Sequence, residues 1–235
     1  MIQFYSPFLE STLTLGPEEA HHCVKVLRRK TGDIIYVTDG KGKRFECRLV
    51  QADTKHLQLE IINETFIPLN WKNNIVLAVA PTKNSDRMSW LVEKATEIGV
   101  NKIIFLNCRN SERKNLNVER LRRNAISAMN QSLKTHLPEI GEIVGLKTIC
   151  DYPGEKYFGY CDSEIERKEF IKDYKGGDVT ILIGPEGDFD RDEVDLLISA
   201  GYMPVTFGDE RLRTETAALY GVTATHIINQ LNKKT

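Results

Sequence analysis

The pattern of hydrophobic and polar positions changes near residue 70. Before that point, short β-rich runs flank a turn that contains two glycines, which is typical of a hairpin. One helix precedes these runs, and its apolar positions recur every three to four residues. We therefore expect a small β-barrel that carries one helix. The predicted strands are 33–38, 44–51 and 56–62, the turn is 39–42, and the helix is 17–27.

After a linker at 66–74, the chain alternates between short apolar runs and amphipathic helices. Continuous apolar runs are typical of strands buried on both faces, and strand–helix alternation is typical of a parallel sheet with helices on both faces. The second part of the chain is therefore expected to be an α/β domain. Its predicted strands are 75–80, 103–106, 157–160, 179–183 and 204–207.

Four helices are predicted between and after these strands. Gly99 is expected to end the first helix, and Asn117 to cap the second. The spacing Asp190-x-x-Glu193 predicts a capping box at the start of the third. Thr214 is expected to cap the last helix.

The composition, with 41% hydrophobic and 28% charged residues, is that of an ordinary globular protein. No apolar stretch reaches the roughly 18 residues of a membrane span, and the first residues do not resemble a signal peptide. The five cysteines are scattered, which favours a reducing cytoplasm over disulfides or a zinc site. The adjacent His21 and His22 point in different directions on a helix. We therefore expect a cytoplasmic protein without a metal.

The net charge is −1, but basic residues outnumber acidic ones over 107–136 and the reverse holds over 151–200. A chain divided in this way can present one basic surface to a polyanion while it stays nearly neutral overall. Solvated helix faces are the alternative explanation of such charge runs.

Two glycine-bearing turns carry most of the chemical information. Residues 183–187 (I-G-P-E-G) follow one predicted strand, and residues 207–217 (F-G-D-E-R-L-R-T-E-T-A) follow another. Turns at the ends of two strands of an open α/β sheet build a crevice for a small molecule, and glycine lets the backbone approach it closely. The sequence has no P-loop, no G-x-G-x-x-G after a strand, no H-E-x-x-H and no G-x-S-x-G. It therefore predicts a small-molecule site of another kind.

These two turns resemble those of the SPOUT-class family that methylates N3 of a uridine in 16S ribosomal RNA. The similarity includes H-x-x-x-V-L-R at 22–28 and W-x-x-x-K-A-T-E-x-G at 90–99. The sequence departs from the family at three positions. The family usually has glycine in place of Asp188 and Ser or Thr in place of Asp190, and it often has arginine in place of Lys134.

The resemblance implies a PUA-like RNA-binding barrel over 1–68 and a SPOUT α/β domain over 75–235, with a parallel sheet and a deep trefoil knot. It also implies a homodimer, and S-adenosyl-L-methionine as a cofactor held by the two turns. Carried over, the expected cofactor contacts are Ile183, Gly184, Glu186, Gly187, Phe207, Gly208, Leu212, Arg213, Thr216 and Ala217.

The implied reaction requires that one proton be removed from uracil N3 and that the resulting negative charge be stabilised. This charge spreads over the two flanking carbonyl oxygens, so an arginine aimed at one of them would stabilise it. Arg213 is the first candidate and Arg211 the second. Glu215 or Glu186 is the candidate base, and capping of backbone N–H groups is the structural alternative for Glu186.

The expected partner is 16S ribosomal RNA of the small subunit, bound mainly through phosphates and therefore in a salt-sensitive way. The candidate RNA contacts are Lys25, Arg28 and Arg29 on the predicted helix, Lys41 and Lys43 at the hairpin, and Arg113, Arg120 and Arg123.

Two other functions are consistent with the sequence. A SPOUT-type ribose 2′-O-methyltransferase would share the fold and differ in the methylated atom. A non-catalytic RNA-binding factor of ribosome assembly would use the barrel and the basic surface, but it would leave the two turns without a purpose.

Overall fold

The structure is a computed structural model that describes residues 2–55, 57–113, 115–162 and 165–233. The chain divides into two compact units. The first unit contains residues 1–70 and 126–137, and the second contains residues 71–125 and 138–235. None of the helices in the described residues is long and apolar enough to cross a membrane.

The first unit contains a mixed four-stranded sheet in the order β1-β2-β3-β4, in which only the β1–β2 pair is parallel. Inward-facing side chains such as Phe4, Val37 and Phe45 are fully buried and form its core. The strands are β1 (Gln3–Tyr5), β2 (Ile34–Thr38), β3 (Lys43–Gln51) and β4 (Gln58–Phe66).

The sequence pattern did not predict β1, and the predicted strand 56–62 ends before β4 does. β1 has three residues, which is too short for an alternating pattern to show. β4 continues to Phe66, although its last residues are exposed, because it pairs with β3 up to Lys43. His56, at the predicted start of this strand, lies outside the described residues.

The helix predicted over 17–27 is divided into two parts. The α-helix α2 (Pro17–His21) continues as a π-helical turn over His22–Val26. Ala20 and Cys23 are buried as the pattern predicts. A short helix α1 (Leu9–Thr12) precedes them and was not predicted.

The second unit contains a parallel seven-stranded sheet in the order β7-β6-β5-β10-β8-β11-β9. The predicted parallel sheet is therefore confirmed. The sequence missed only the two edge strands, which are more polar than the central ones. The strands are β5 (Ile75–Val79), β6 (Lys102–Asn107), β7 (Glu139–Gly145), β8 (Glu155–Gly159), β9 (Lys168–Glu169), β10 (Val179–Ile183) and β11 (Met203–Thr206).

The helices that join these strands begin and end at recognisable signals. Gly99 ends α3 at a φ of +126°, and the Asn117 side chain accepts from the Arg120 N–H at the start of α4. The capping box of Asp190 and Glu193 at the start of α6 is confirmed. The helices are α3 (Ser85–Ile98), α4 (Val118–Gln131), α5 (Phe170–Asp173), α6 (Arg191–Ser199) and α7 (Thr214–Leu231).

The predicted cap of α7 is wrong. Arg213 occupies the N-cap position, and Thr214 is the first helical residue. The Thr214 hydroxyl is buried and donates to the Gly184 carbonyl at 3.3 Å. The hydroxyl is therefore used to join the two glycine-bearing turns instead of capping its own helix.

Candidate functional site

A cavity of about 660 Å³ opens where β8, β10 and β11 end. These strands are neighbours in the parallel sheet, with β8 in the middle. Because parallel strands end at the same edge of a sheet, the segments that follow them meet there. The cavity is lined by residues of 159–161, of 183–188 and of 205–214, together with Arg167 and Ala217. The two turns predicted from the sequence therefore face one cavity.

Two glycines in these turns have different roles. A Cβ atom at Gly184 would lie 3.0 Å from the ring of Phe189, which is buried, so the glycine makes room for core packing. A Cβ atom at Gly208 would meet nothing within 4 Å, and its φ is +108°. Gly208 therefore serves the conformation of the turn and leaves its backbone open toward the cavity.

The expected cofactor contacts all line the cavity except Gly187 and Thr216. Thr216 is exposed on α7. The Gly187 carbonyl accepts from the Asn110 side chain at 3.2 Å, so this residue supports the turn from outside the cavity lining. The lining residues combine apolar side chains, such as Ile183 and Leu212, with several charged ones.

The two candidate bases differ in their surroundings. Glu186 lines the cavity, and its side chain is 40% exposed. Glu215 does not line the cavity, its side chain is only 9% exposed, and its Oε2 atom is buried without a hydrogen-bond partner in the described part of the chain. Glu186 is therefore the better placed to reach a bound substrate.

Arg87, in the first turn of α3, links the two carboxylates. Its Nη1 atom lies 3.3 Å from Glu186 Oε1, and its Nε atom lies 3.6 Å from Glu215 Oε1. Sequence reasoning missed Arg87. The available signal was a basic side chain at the start of a helix that follows a buried strand, which by itself is common.

Arg213 and Arg211 both line the cavity at the start of α7. Among the described residues, the Arg213 guanidinium has no ion-pair or hydrogen-bond partner, and the side chain is exposed. The positive end of the 18-residue helix α7 lies beside it. This corner of the cavity therefore favours a negative charge.

A third segment of the lining was not predicted. Tyr160 and Cys161 follow β8, and Arg167 lies a few residues further along the chain. Asp188 also lines the cavity, and its backbone has a φ of +62°, which explains why the similar family usually has glycine there. Burial raises the pKa of the Asp188 carboxyl group above its ordinary value.

The candidate RNA contacts in the first unit are not equally available. The Lys43 ammonium lies 2.9 Å from both Glu10 and Glu64, and hydrogen bonds to these carboxylates raise its pKa. Arg29 lies 3.9 Å from Asp33. In contrast, the structure gives no ion pair to Lys25, Arg28 and Lys41 within the described ranges.

The candidate RNA contacts in the second unit also divide into side chains with a partner and side chains without one. Arg120 pairs with Asp86 at 2.9 Å, and the Arg113 guanidinium donates to the Lys83 carbonyl at 2.8 Å. Arg123 has no such partner among the residues that are described. The unpaired cations are the stronger candidates, because a phosphate does not have to replace a carboxylate at them.

A metal site is not formed by the described residues, since no group of three or more His, Cys, Asp or Glu side chains could hold an ion. All five cysteines are free thiols, and only Cys161 is exposed.

Comparisons with known proteins agree on one family. Residues 69–226 match the RNA methyltransferase domain, and residues 15–62 match the RNA methyltransferase PUA domain. The ribosomal RNA small subunit methyltransferase E of Rickettsia conorii is 27% identical, over 93% of this chain and 91% of the relative. The protein of the same name from Bacillus subtilis is 25% identical, over 91% of this chain and 89% of the relative.

Two solved structures share the fold over almost their whole length. A probable rRNA-methyltransferase from Porphyromonas gingivalis is 39% identical, with a TM-score of 0.93 over 99% of this chain and 100% of that one. A ribosomal RNA small subunit methyltransferase E from Neisseria gonorrhoeae, bound to S-adenosyl methionine, is 26% identical, with a TM-score of 0.84 over 97% of each chain.

Proposed function

The chain belongs to the RNA methyltransferase domain family, and we propose that it transfers a methyl group from S-adenosyl-L-methionine to N3 of a uridine in 16S ribosomal RNA. The observation that carries the proposal is that both motif turns face one cavity at the carboxyl edge of the parallel sheet. The relatives named as small-subunit ribosomal RNA methyltransferases support the substrate class. The choice of N3 rests on the resemblance of the two turns to the uridine-N3 family.

The cavity fits the cofactor in size and in chemistry. Its volume of about 660 Å³ lies within the range of small-molecule pockets. Ile183, Phe207 and Leu212 offer apolar surface to an adenine ring, and the open backbone at Gly208 suits the polar edges of the ligand. When it is bound, the cofactor supplies an electrophilic methyl group.

The residues of the chain then orient the uracil and handle its proton. Glu186 accepts the N3 proton, because it is the candidate carboxylate that lines the cavity. Arg213 stabilises the negative charge that develops on a flanking carbonyl oxygen. Glu215 holds Arg87 from the buried side, and Arg87 in turn orients Glu186.

Two further features follow from the resemblance and belong to the proposal. The chain forms a homodimer, which light scattering of the purified protein can test. Its C-terminal domain contains a deep trefoil knot.

Binding of S-adenosylhomocysteine, measured by calorimetry, tests the proposed function against the RNA-binding assembly factor. An enzyme of this kind binds the product, and a pure RNA-binding module does not. Analysis of the methylated nucleoside separates the N3 enzyme from the ribose 2′-O-methyltransferase.

Arg213→Ala tests the assignment of the arginine. We expect kcat to fall by about 100-fold or more, with a much smaller change in the affinity for S-adenosylhomocysteine. Arg191→Ala is the matched control, since Arg191 also stands at the start of a helix but does not line the cavity. Equal losses of kcat and affinity in Arg213→Ala would show that this residue only binds the cofactor.

A further inference from the structure

We propose that Asp188 and Arg167 are positioning residues that together fix residues 160–161 as the third wall of the cofactor cavity. The inference rests on the proposed function, because it assigns the cavity to the cofactor. It goes beyond that function because it concerns a segment that neither motif turn contains.

The segment needs support because of its place in the sheet. β8 lies between β10 and β11, so the chain that leaves β8 emerges between the two motif turns. β8 ends at Gly159, and the Tyr160 N–H still donates to the Val205 carbonyl at 3.1 Å. At residues 161–162, the structure shows no strand pairing with the described part of the chain, although Cys161 still lines the cavity.

Two charged side chains replace the strand pairing. The Cys161 N–H donates to Asp188 Oδ2 at 2.8 Å. The Arg167 Nη1 atom donates to the Cys161 carbonyl at 2.8 Å and to the Tyr160 carbonyl at 3.1 Å. The backbone of Cys161 is therefore held at its N–H by a carboxylate and at its C=O by a guanidinium. Hydrogen bonds to ionised groups are about twice as strong as neutral ones.

The unusual backbone of Asp188 is part of this arrangement. With a φ of +62°, the position favours glycine, but an aspartate tolerates it when its side chain bonds locally. Asp188 Oδ1 accepts from the Phe189 N–H at 2.9 Å, and the Asn110 side chain donates to the Asp188 carbonyl at 3.1 Å. A glycine would keep this turn conformation but could not reach Cys161.

A wall fixed in advance lowers the cost of ordering the cavity when a ligand binds. Because both side chains bind the same peptide segment, loss of either one should leave residues 160–161 free to move. Their effects on ligand affinity should therefore overlap. Two side chains that contact the ligand separately would instead give independent effects.

A double-mutant cycle on S-adenosylhomocysteine affinity tests the inference. The variants are Asp188→Gly, Arg167→Ala and the combination, measured by calorimetry on the full chain. Glycine is chosen at 188 because it keeps the left-handed backbone unstrained. We expect each single change to weaken binding by about ten-fold, and the double change to weaken it by little more. Asp188→Asn should bind with an affinity between those of the wild type and the glycine variant, because its single amide oxygen can accept from Cys161 or from Phe189 but cannot replace both carboxylate oxygens.

A second readout does not depend on ligand. Alkylation of Cys161 in the free protein, followed by mass spectrometry, should be faster in Arg167→Ala than in the wild type. Loss of this nearby cation would by itself raise the pKa of the Cys161 thiol and slow the reaction, so a faster rate reports release of the segment. A loss of about 100-fold in the double variant would overturn the inference, as would single variants that bind like the wild type. A wild-type chain that does not bind S-adenosylhomocysteine would instead overturn the proposed function.

Discussion

Arg87→Met should destabilise the protein, because it leaves a buried carboxylate without its cation. The Arg87 Nε atom lies 3.6 Å from Glu215 Oε1, and the Glu215 side chain is 9% exposed. At this distance, and with an effective dielectric constant of about 20, the attraction between two unit charges is about 4–5 kcal/mol. The Arg87 side chain is 32% exposed, so solvent screening and its own recovered hydration reduce this value. We expect a net loss of about 2 kcal/mol in the free energy of unfolding.

The measurement is urea unfolding together with thermal unfolding at fixed protein concentration. A loss of about 2 kcal/mol corresponds to a fall in Tm of about 4–8 °C for a chain of this size. Arg120→Met is the matched control, because Arg120 also pairs with a carboxylate, Asp86, but both side chains are well exposed. This change should cost less than about 1 kcal/mol.

Rescue distinguishes the proposed cause from simple loss of packing. In the Arg87→Met background, Glu215→Gln removes the uncompensated charge and should restore part of the lost stability. If the Arg87 and Arg120 variants lose equally little stability, or if Glu215→Gln destabilises the Arg87 variant further, the ion pair between Arg87 and Glu215 does not stabilise the fold.

Three other predictions follow from single contacts. Asp190→Ala should lower the free energy of unfolding by about 1–2 kcal/mol because it removes the capping box, whereas Asp190→Ser should keep most of the stability. Equal urea midpoints for the two variants would contradict this. Lys41→Gln should reduce by about 1 the steepness with which the logarithm of RNA affinity falls with the logarithm of salt concentration. Lys43→Gln should change this slope less, because Lys43 is already held by two carboxylates. Equal slopes for the two variants in filter binding would argue against this. S-adenosylhomocysteine should protect Cys161 from alkylation but leave half-buried Cys150 unaffected, and the pH profile of the rate at Cys161 should lie at higher pH than that of a free cysteine, since burial raises the pKa of its thiol. Equal protection of both thiols would argue against the cavity as the binding site.

The central strands and the helix caps could be predicted because their signals are local. The runs at 75–80 and 179–183 are apolar on both faces, as strands inside a parallel sheet must be. The capping box of Asp190 and Glu193 needs only residues three apart. β7 and β9 lie at the edges of the sheet, where one side is open and the hydrophobic pattern is weaker.

The site could be predicted only where its chemistry lies in a continuous motif. The two turns are such motifs, and they line the cavity. Arg87 and Arg167 are far in sequence from the groups that they contact, so only the tertiary structure shows their roles. The sequence predicts a local cap at Thr214 because its long-range partner, the Gly184 carbonyl, cannot be identified without the tertiary structure.

The decisive experiment on the proposed reaction is transfer of labelled methyl from S-adenosyl-L-methionine to small ribosomal subunits that lack the modification. The RNA is digested after the reaction, and its nucleosides are separated and identified. We expect label in 3-methyluridine, and none when Arg213→Ala replaces the wild type over the same short reaction time. Label in a 2′-O-methylated nucleoside would contradict the proposed atom, and the absence of label from a protein that binds S-adenosylhomocysteine would contradict the proposed substrate.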